Sequence, residues 1–158
     1  MFDAQGWIRV RSSRDAYVEG LSGEEIDALD RATDLADEAL WDQLEQHLAK
    51  YGIETASSGE VRPIGLSLIK YQFHRHLNYS SGLLTLATSR NHRCRDFAEL
   101  IAWIAEKGPG SYGIIYVHDD EDEQTSNAFQ VWRILKGRVE VFPDCWLSPI
   151  MPTLQHDF

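Results

Sequence analysis

Hydrophobic residues recur at steps of three and four along residues 26–51, which predicts a long amphipathic helix. The apolar stripe consists of Ile26, Leu29, Thr33, Ala36, Leu40, Leu44, Leu48 and Tyr51. A capping box from Ser22 to Glu25 precedes this helix, and Gly52 closes it. The other face is strongly acidic, so we expect it to be solvated; it carries Asp27, Asp30, Asp34, Asp37, Glu38, Asp42 and Glu45.

A second pattern, with a period of two, predicts a half-buried strand from Ile69 to Leu77. Its apolar positions are Ile69, Tyr71, Phe73 and Leu77, and they alternate with Lys70, Gln72, His74 and His76. Further strands are predicted at residues 6–12, 83–88, 112–117, 127–135 and 138–142. The strand at 112–117 is apolar on both faces, as expected for a central strand, and Lys136-Gly137 indicates a hairpin between the last two strands.

The remaining elements are a second helix and the connecting segments. Asp96 is a good N-cap for this helix. Its apolar residues are Phe97, Leu100, Ile101 and Ile104, and Gly108-Pro109-Gly110 ends it. Residues 54–60 are predicted to form a loop, residues 78–82 a turn, and residues 143–158 a tail that wraps over the surface. The first strand makes Trp7, Ile8 and Val10 available to the core.

The order of these elements is β-α-β-β-α-β-β-β, which predicts an α+β fold. We expect a mainly antiparallel sheet with two helices packed on one face. The length of 158 residues suits a single domain, and no composition shift marks a boundary within 1–158. Hydrophobic residues make up 43% of the chain, enough for an ordinary packed core.

The charge balance narrows the range of partners. The chain has 25 acids against 15 lysines and arginines, for a net charge of −10. This disfavours nucleic acid and anionic membranes as direct ligands, because both require clustered bases, and it favours a basic protein. The first residues show no secretory signal, and no apolar run approaches the roughly 20 residues that span a bilayer. The expected location is therefore the cytoplasm.

The main candidate site is the run SYGIIYVHDDEDEQ at residues 111–124, where an apolar strand ends in His118 and five consecutive acids, Asp119, Asp120, Glu121, Asp122 and Glu123. Three interpretations are open: a metal site, a solvated loop, and a docking surface for a basic partner. Consecutive acids in an extended segment point to alternate sides, and the glycine and ligand spacing of a calcium loop is missing. We therefore favour the docking surface and expect no metal or other cofactor.

Other candidates are weighed against simpler roles. His74 and His76 could share a metal with His92, but nothing defines a further ligand. Cys94 has basic neighbours and His92 two residues away, yet a structural or an incidental thiol is the more common role, and Cys145 has the character of a small core residue. No Gly-rich phosphate loop, nucleophile elbow or paired-cysteine motif is present.

Trp41 lies off the apolar stripe of the first helix, between acids. An exposed tryptophan ringed by carboxylates has the character of an interface anchor for a basic partner. Packing at the rim of the core is the alternative, and the sequence leaves both open.

An ordered set of short motifs adds a family resemblance. The motifs are Gly6-Trp7, Asn91-His92-Arg93, the stretch from Tyr112-Gly113 to Asp119-Asp120-Glu121, Asn127-Ala128-Phe129, Leu135-Lys136-Gly137, and the stretch from Asp144 to Leu147-Ser148-Pro149. In this order they resemble the immunity protein 7 family of bacterial polymorphic toxin systems. The first helix and the loop near residues 54–66 contribute little to the resemblance.

The resemblance implies a small antidote, encoded beside a toxin, that binds and neutralises it without chemistry. An acidic inhibitor of a basic toxin gains fast association from complementary charge. We expect partner binding by occlusion, through the acidic run at residues 119–123 and a second patch of Asp34, Asp37, Trp41 and Asp42. The acids of the run could instead order their own loop by bonding to Arg133 or Arg138.

Two rival functions remain. A small enzyme that reverses a toxin's modification would use either His118, Asp119 and Asp120 as a metal-dependent hydrolase, or Cys94 as a nucleophile. A scaffold or dimerisation module without a toxin partner is the third possibility. Stoichiometry separates the toxin-binding protein from the enzyme, because a binding protein protects at one molecule per toxin and an enzyme protects at far less than one molecule per toxin.

Overall fold

Two helices lie on one face of a seven-stranded sheet in the computed structural model of this protein, which describes residues 1–13, 20–54, 69–77 and 81–150. The elements are β1 (Phe2–Val10), α1 (Gly23–Tyr51), β2 (Gly52–Glu54), β3 (Ile69–Leu77), β4 (Ser81–Arg90), α2 (Arg95–Lys107), β5 (Tyr112–Asp119), β6 (Gln130–Leu135) and β7 (Arg138–Pro143). Within the described part of the chain, neither helix has the length and apolar character to cross a membrane.

The sheet has the order β2-β3-β4-β1-β5-β6-β7, so the first strand of the chain lies at its centre. β1 pairs antiparallel with both β4 and β5. All the neighbours from β3 to β7 are antiparallel, and only the short β2 pairs parallel, with β3. The predicted α+β class and element order are confirmed. β2 is an addition, because three residues are too few to show a period in sequence.

The core lies between the helices and one face of the sheet. β1 and α2 supply much of it, through Phe2, Ala4, Ile8, Val10, Phe97, Leu100, Ile101 and Ile104. The apolar face predicted for α2 is confirmed, as is its end at Gly108. The N-cap is Cys94 rather than Asp96, which lies in the first turn. The predicted β6–β7 hairpin is also confirmed: Lys136 and Gly137 both have positive φ, 58° and 71°, as a tight turn of this type requires.

Helix α1 follows its predicted stripe only in its second half. The capping box is confirmed, since Ser22 N–H donates to Glu25 Oε2 at 2.8 Å. Leu40, Leu44 and Leu48 are buried, as predicted, whereas the stripe residues Ile26, Leu29 and Ala36 are exposed. Asp37 and Trp41 contact the end of β1 and the residues after it, so the preceding turns of α1 lie beyond that end of the sheet. A helical pattern alone does not show where a helix leaves its sheet.

Two faces were also assigned incorrectly in the strands. Trp7 was expected in the core, but it is 41% exposed on the face of the sheet opposite the helices. Adjacent side chains of a strand point to opposite faces, and the next residue, Ile8, points into the core. β5 is an interior strand with apolar residues on both faces, yet its residues Tyr112 and Ile114 remain exposed on that same face. Cys145, expected in the core, is exposed.

Several predictions fall on residues outside the described part of the chain. These are the side chains of Tyr51, His76 and Leu77, the predicted loop at 54–60 apart from Glu54, which lies in β2, the turn residues 78–80 and the end of the tail at 151–158. They remain predictions.

The pairing of β1 with β5 depends on a close approach at Gly6. A Cβ at Gly6 would meet the Ile114 carbonyl oxygen and would lie 2.6 Å from Ile115 Cα. We therefore expect Gly6→Ala to lower the free energy of unfolding by about 3 kcal/mol in urea denaturation. Gly23→Ala is the matched control, because a Cβ there meets nothing within 4 Å. Equal stability of the two variants would show that the strand spacing relaxes freely.

Candidate functional site

The acidic run begins inside the fold. Asp119 is the last residue of β5 and is only 6% exposed. Its Oδ2 accepts a hydrogen bond from Arg93 Nε at 2.6 Å, and its Oδ1 accepts one from Glu121 N–H at 3.2 Å. A buried carboxylate needs such donors, because removing it from water without them is costly. The first acid of the run is therefore an anchor for the loop rather than a surface contact.

The next two acids tie the loop to neighbouring segments. Asp120 forms an ion pair with the amino group of Met1. Glu121 Oε1 lies 2.7 Å from His92 Nδ1, and its Oε2 accepts a hydrogen bond from Arg93 N–H at 3.2 Å. The bond to His92, followed by that to the Arg93 backbone, lowers the pKa of Glu121 below its usual value. Both side chains stay partly exposed, at 44% and 43%.

The alternative that the acids order their own loop is correct in its mechanism, but it named the wrong arginines. The base that pairs with the run is Arg93, at the turn before α2, rather than Arg133 or Arg138. Arg133 instead pairs with Glu140 across the β6–β7 hairpin at 2.6 Å. No local pattern predicted the Arg93–Asp119 contact, because the two residues are 26 positions apart.

The last two acids of the run form no ion pair with a base within residues 1–13, 20–54, 69–77 and 81–150. Asp122 Oδ1 accepts a hydrogen bond from Gln124 N–H at 3.1 Å, which closes a turn within the loop. Asp122 is half-buried, and its charge interacts with that of Arg93, whereas Glu123 is exposed. Of the two, Glu123 therefore has the charge that faces solvent more fully.

The histidine at the head of the run serves the loop as well. His118 Nε2 lies 2.8 Å from the Ser126 carbonyl oxygen, to which it donates, and its ring packs against Phe129 at 5.8 Å between centroids. Among the described residues, no group of three or more His, Cys, Asp or Glu side chains is arranged to hold a metal ion. The proposed hydrolase set of His118, Asp119 and Asp120 is thus spread over separate contacts.

Cys94 is not presented as a nucleophile. It is 1% exposed, and the polar contact of its Sγ is with Arg90 Nη1 at 3.8 Å. His92, the candidate base, directs its Nδ1 to Glu121. The thiol therefore lies in the core at the start of α2, in the structural role that was the simpler expectation.

Half of the second predicted patch is buried. Asp37 is 0% exposed; its Oδ1 accepts a hydrogen bond from Ser12 N–H at 2.5 Å, and Arg11 Nε lies 3.7 Å from its Oδ2. Trp41 is 1% exposed, and its Nε1–H donates to the Val10 carbonyl at 3.0 Å. The expectations that Asp37 is solvated and that Trp41 is an exposed anchor were wrong, since both side chains fasten α1 to the end of β1.

The other half of the patch lies on the surface. Asp34 is exposed, and Asp42 pairs with Arg75 at 2.7 Å. Arg75 also contacts Glu45 at 2.7 Å and Glu38 at 3.0 Å. The described structure places Asp34 and Asp42 on α1, away from the loop at the end of β5, so the two predicted patches do not form one site.

A second ordered segment lies beside the loop. Asp144 Oδ2 accepts hydrogen bonds from Leu147 N–H at 2.6 Å and from the Ser148 hydroxyl at 3.2 Å, while Phe129 N–H donates to Ser148 Oγ at 2.8 Å. Burial alone would raise the pKa of Asp144, but the backbone N–H groups of Leu147 and Trp146, with Ser148, lower it. The motifs that carried the resemblance at this end of the chain are therefore joined to one another and to the segment before β6.

The face of the sheet opposite the helices is a feature that the sequence analysis missed, and no element of the described residues lies on it. Trp7 and Tyr112 pack edge to face there with ring centroids 6.2 Å apart, and Arg133 lies over the Phe142 ring at 4.8 Å. The alternation of side chains in β1 and β5 could have predicted this second face. It was not recognised because β5 has apolar residues on both faces.

Comparison with known proteins identifies the class as that of immunity proteins. The sequence model described as Immunity protein 7 matches residues 66–156. This chain belongs to the immunity protein 7 family, and membership implies an immunity role with a toxin as partner. The match includes Arg93, the acidic run and the Asp144 segment, and it excludes β1 and α1. No curated protein and no solved structure shows a significant match.

The anchoring role of Asp119 predicts a stability effect. Asp119→Asn keeps an oxygen for Glu121 N–H but loses the charged bond to Arg93, so we expect the free energy of unfolding to fall by about 1–2 kcal/mol. Glu123→Gln, the same change at an exposed position, should alter it by less than about 0.5 kcal/mol. Chemical denaturation of both variants measures the difference. Equal free energies of unfolding would show that Asp119 does not anchor the loop.

The lowered pKa of Glu121 predicts a pH dependence. A carboxyl group whose pKa is lower in the folded protein stabilises it fully above the unfolded pKa, about 4.3 for glutamate. That contribution is lost as the pH falls through the folded pKa. We expect an NMR titration of the Glu121 side chain to show a midpoint below that of the unfolded chain, and His92→Ala to move it upward. An unchanged midpoint in His92→Ala would show that the contact is absent in solution.

Proposed function

We propose that this protein binds the toxin domain encoded beside it and blocks the activity by covering the active cleft or substrate path. The observation that carries the proposal is an acidic loop that its own fold holds in place. Asp119 and Glu121 fasten the loop to Arg93 and His92. Asp122 is half-buried beside them, and Glu123 is exposed. A loop that is already ordered loses less conformational freedom on binding than a mobile one.

Charge supports a basic toxin domain as the partner. The net charge is −10, and α1 contains nine acids against two lysines or arginines. Such a surface accelerates the approach of a basic protein and disfavours nucleic acid. We propose that the encounter takes place in the cytoplasm, before the toxin reaches its target.

The residues of the acidic run then divide by role. Asp120, Glu121, Asp122 and Glu123 are proposed to contact the toxin, while Asp119 holds the loop in place. On α1, Asp34 and Asp42 are proposed to attract the toxin during approach. Asp37 and Trp41 are buried, and they fasten α1 to the end of β1 and the residues after it.

The inhibition is proposed to be stoichiometric and free of chemistry. Titration of purified protein into its toxin should therefore stop the toxin's activity at a ratio of one to one. Protection by far less than one equivalent would contradict binding as the mechanism and support an enzyme that reverses the toxin's modification. Absence of both a complex and protection would contradict the proposed function altogether.

The acidic loop is tested by neutralising four charges at two places. Asp120→Asn, Glu121→Gln, Asp122→Asn and Glu123→Gln together should slow association with the toxin about tenfold at low salt. The matched control combines Glu24→Gln, Asp27→Asn and Asp30→Asn on α1 with Glu106→Gln on α2, which changes the net charge equally and should slow association less. Stopped-flow association rates decide, with circular dichroism to verify folding. Equal slowing by both variants would mean that only net charge matters.

A further inference from the structure

We propose that the cavity beside the acidic loop receives one lysine or arginine side chain of the toxin domain. This inference rests on the proposed function and gives it a specific contact. The cavity has a volume of about 510 Å³. That volume falls within the range of roughly 300–1,000 Å³ typical of protein binding pockets.

The floor of the cavity is apolar. It forms where the start of β1, the first turn of α2, the end of β5 and the start of β6 meet, and these elements contribute Phe2, Ala98, Val117 and Trp132. The Trp132 ring is held at its edge, because Nε1–H donates to Gln130 Oε1 at 3.3 Å. The floor is therefore a preformed surface for methylene groups or for an aromatic contact.

The rim of the cavity is ionic, and its charges do not cancel. Arg93 is neutralised by Asp119 at 2.6 Å, and Arg95 by Glu99 at 2.6 Å. Asp122, which also lines the cavity, forms no ion pair within the described ranges. The charge of Asp122 also interacts with that of Arg93. Because Arg93 and Arg95 are set against Asp119, Asp122 and Glu99, an incoming group meets one net negative charge above an apolar floor.

This combination selects the chemistry of the occupant. A lysine or arginine can lay its aliphatic stem on the floor while its cationic head reaches the carboxylate at the rim. A cation held over the Trp132 ring gains a further attraction from the π-system. An anionic side chain would be repelled by Asp122, and an apolar one would cover that carboxylate without pairing it, which is unfavourable.

The placement suits an energetic centre rather than a rim contact. Interface residues that dominate affinity fill well-packed pockets surrounded by polar contacts that exclude water. Here the exposed acids of the loop would provide those surrounding contacts, and the cavity would provide the pocket. The loop charges should then govern the rate of association, and the cavity should govern the rate of dissociation.

Two pairs of variants test the inference with the purified toxin domain from the neighbouring gene as the probe. Asp122→Asn removes the charge but keeps the oxygen that accepts Gln124 N–H, and Asp30→Asn is the same change at an exposed position of α1, outside the acidic loop and the cavity lining. Ala98→Leu projects three more carbon atoms into the cavity from α2, and Ala102→Leu adds the same side chain one turn later at an exposed position. Leucine is a good helix former, so neither change should disturb α2.

We expect Asp122→Asn to weaken the toxin Kd about 30-fold through faster dissociation, and Ala98→Leu to weaken it at least about tenfold. The two controls should stay within about threefold of wild type. A toxin lysine or arginine should also exist whose alanine substitution causes no further loss in the Asp122→Asn background.

The outcomes separate the inference from the proposed function. If wild type binds and both cavity variants bind equally well, the inference is overturned while toxin binding stands. If Asp30→Asn weakens binding as much as Asp122→Asn, general charge accounts for the binding and the cavity holds no side chain. If wild type itself fails to bind the toxin, the proposed function fails first.

Discussion

The burial of one carboxylate organises this end of the molecule. Asp119 ends an interior strand of the sheet, so its charge lies where water cannot satisfy it. An unpaired charge at such a place would cost several kcal/mol. Arg93 and the backbone of Glu121 supply the required donors, and this brings the turn before α2 against the loop after β5. The path of both segments follows from this single electrostatic requirement.

The same requirement explains why a run of five acids is not five equivalent charges. The inner acids bond to the protein itself: Asp119 to Arg93, Asp120 to the amino terminus and Glu121 to His92. These contacts leave the acids of the run unequally available to another molecule. A count of charges along the sequence therefore overstates the size of the surface available to a partner. It also hides the fact that the inner acids orient the outer ones.

Periodicity predicted the helices, the strands and their order, because those features depend on residues close in sequence. It failed where the answer depended on distant residues. Asp37 and Trp41 are buried because the end of β1 lies beneath them. The stripe residues Ile26 and Leu29 are exposed because no strand of the described part of the chain lies beneath their turns of α1. The Arg93–Asp119 pair joins residues that only the folded sheet brings together. The sequence showed the acidic run as a candidate site. It did not show which of these acids bond to other groups of the protein.

The cavity illustrates the same limit more strongly, since four separate elements contribute to it and no local pattern marks any of them. Its position nevertheless follows from the anchor. Asp119 pairs with Arg93, and the nearby Asp122 forms no ion pair of its own among the described residues, beside an apolar floor formed in part by Trp132. In the proposed complex, stability of the loop and recognition of a cation are coupled through Asp119 and Asp122. A preformed site of this kind requires little ordering on binding, so its contacts contribute more fully to affinity.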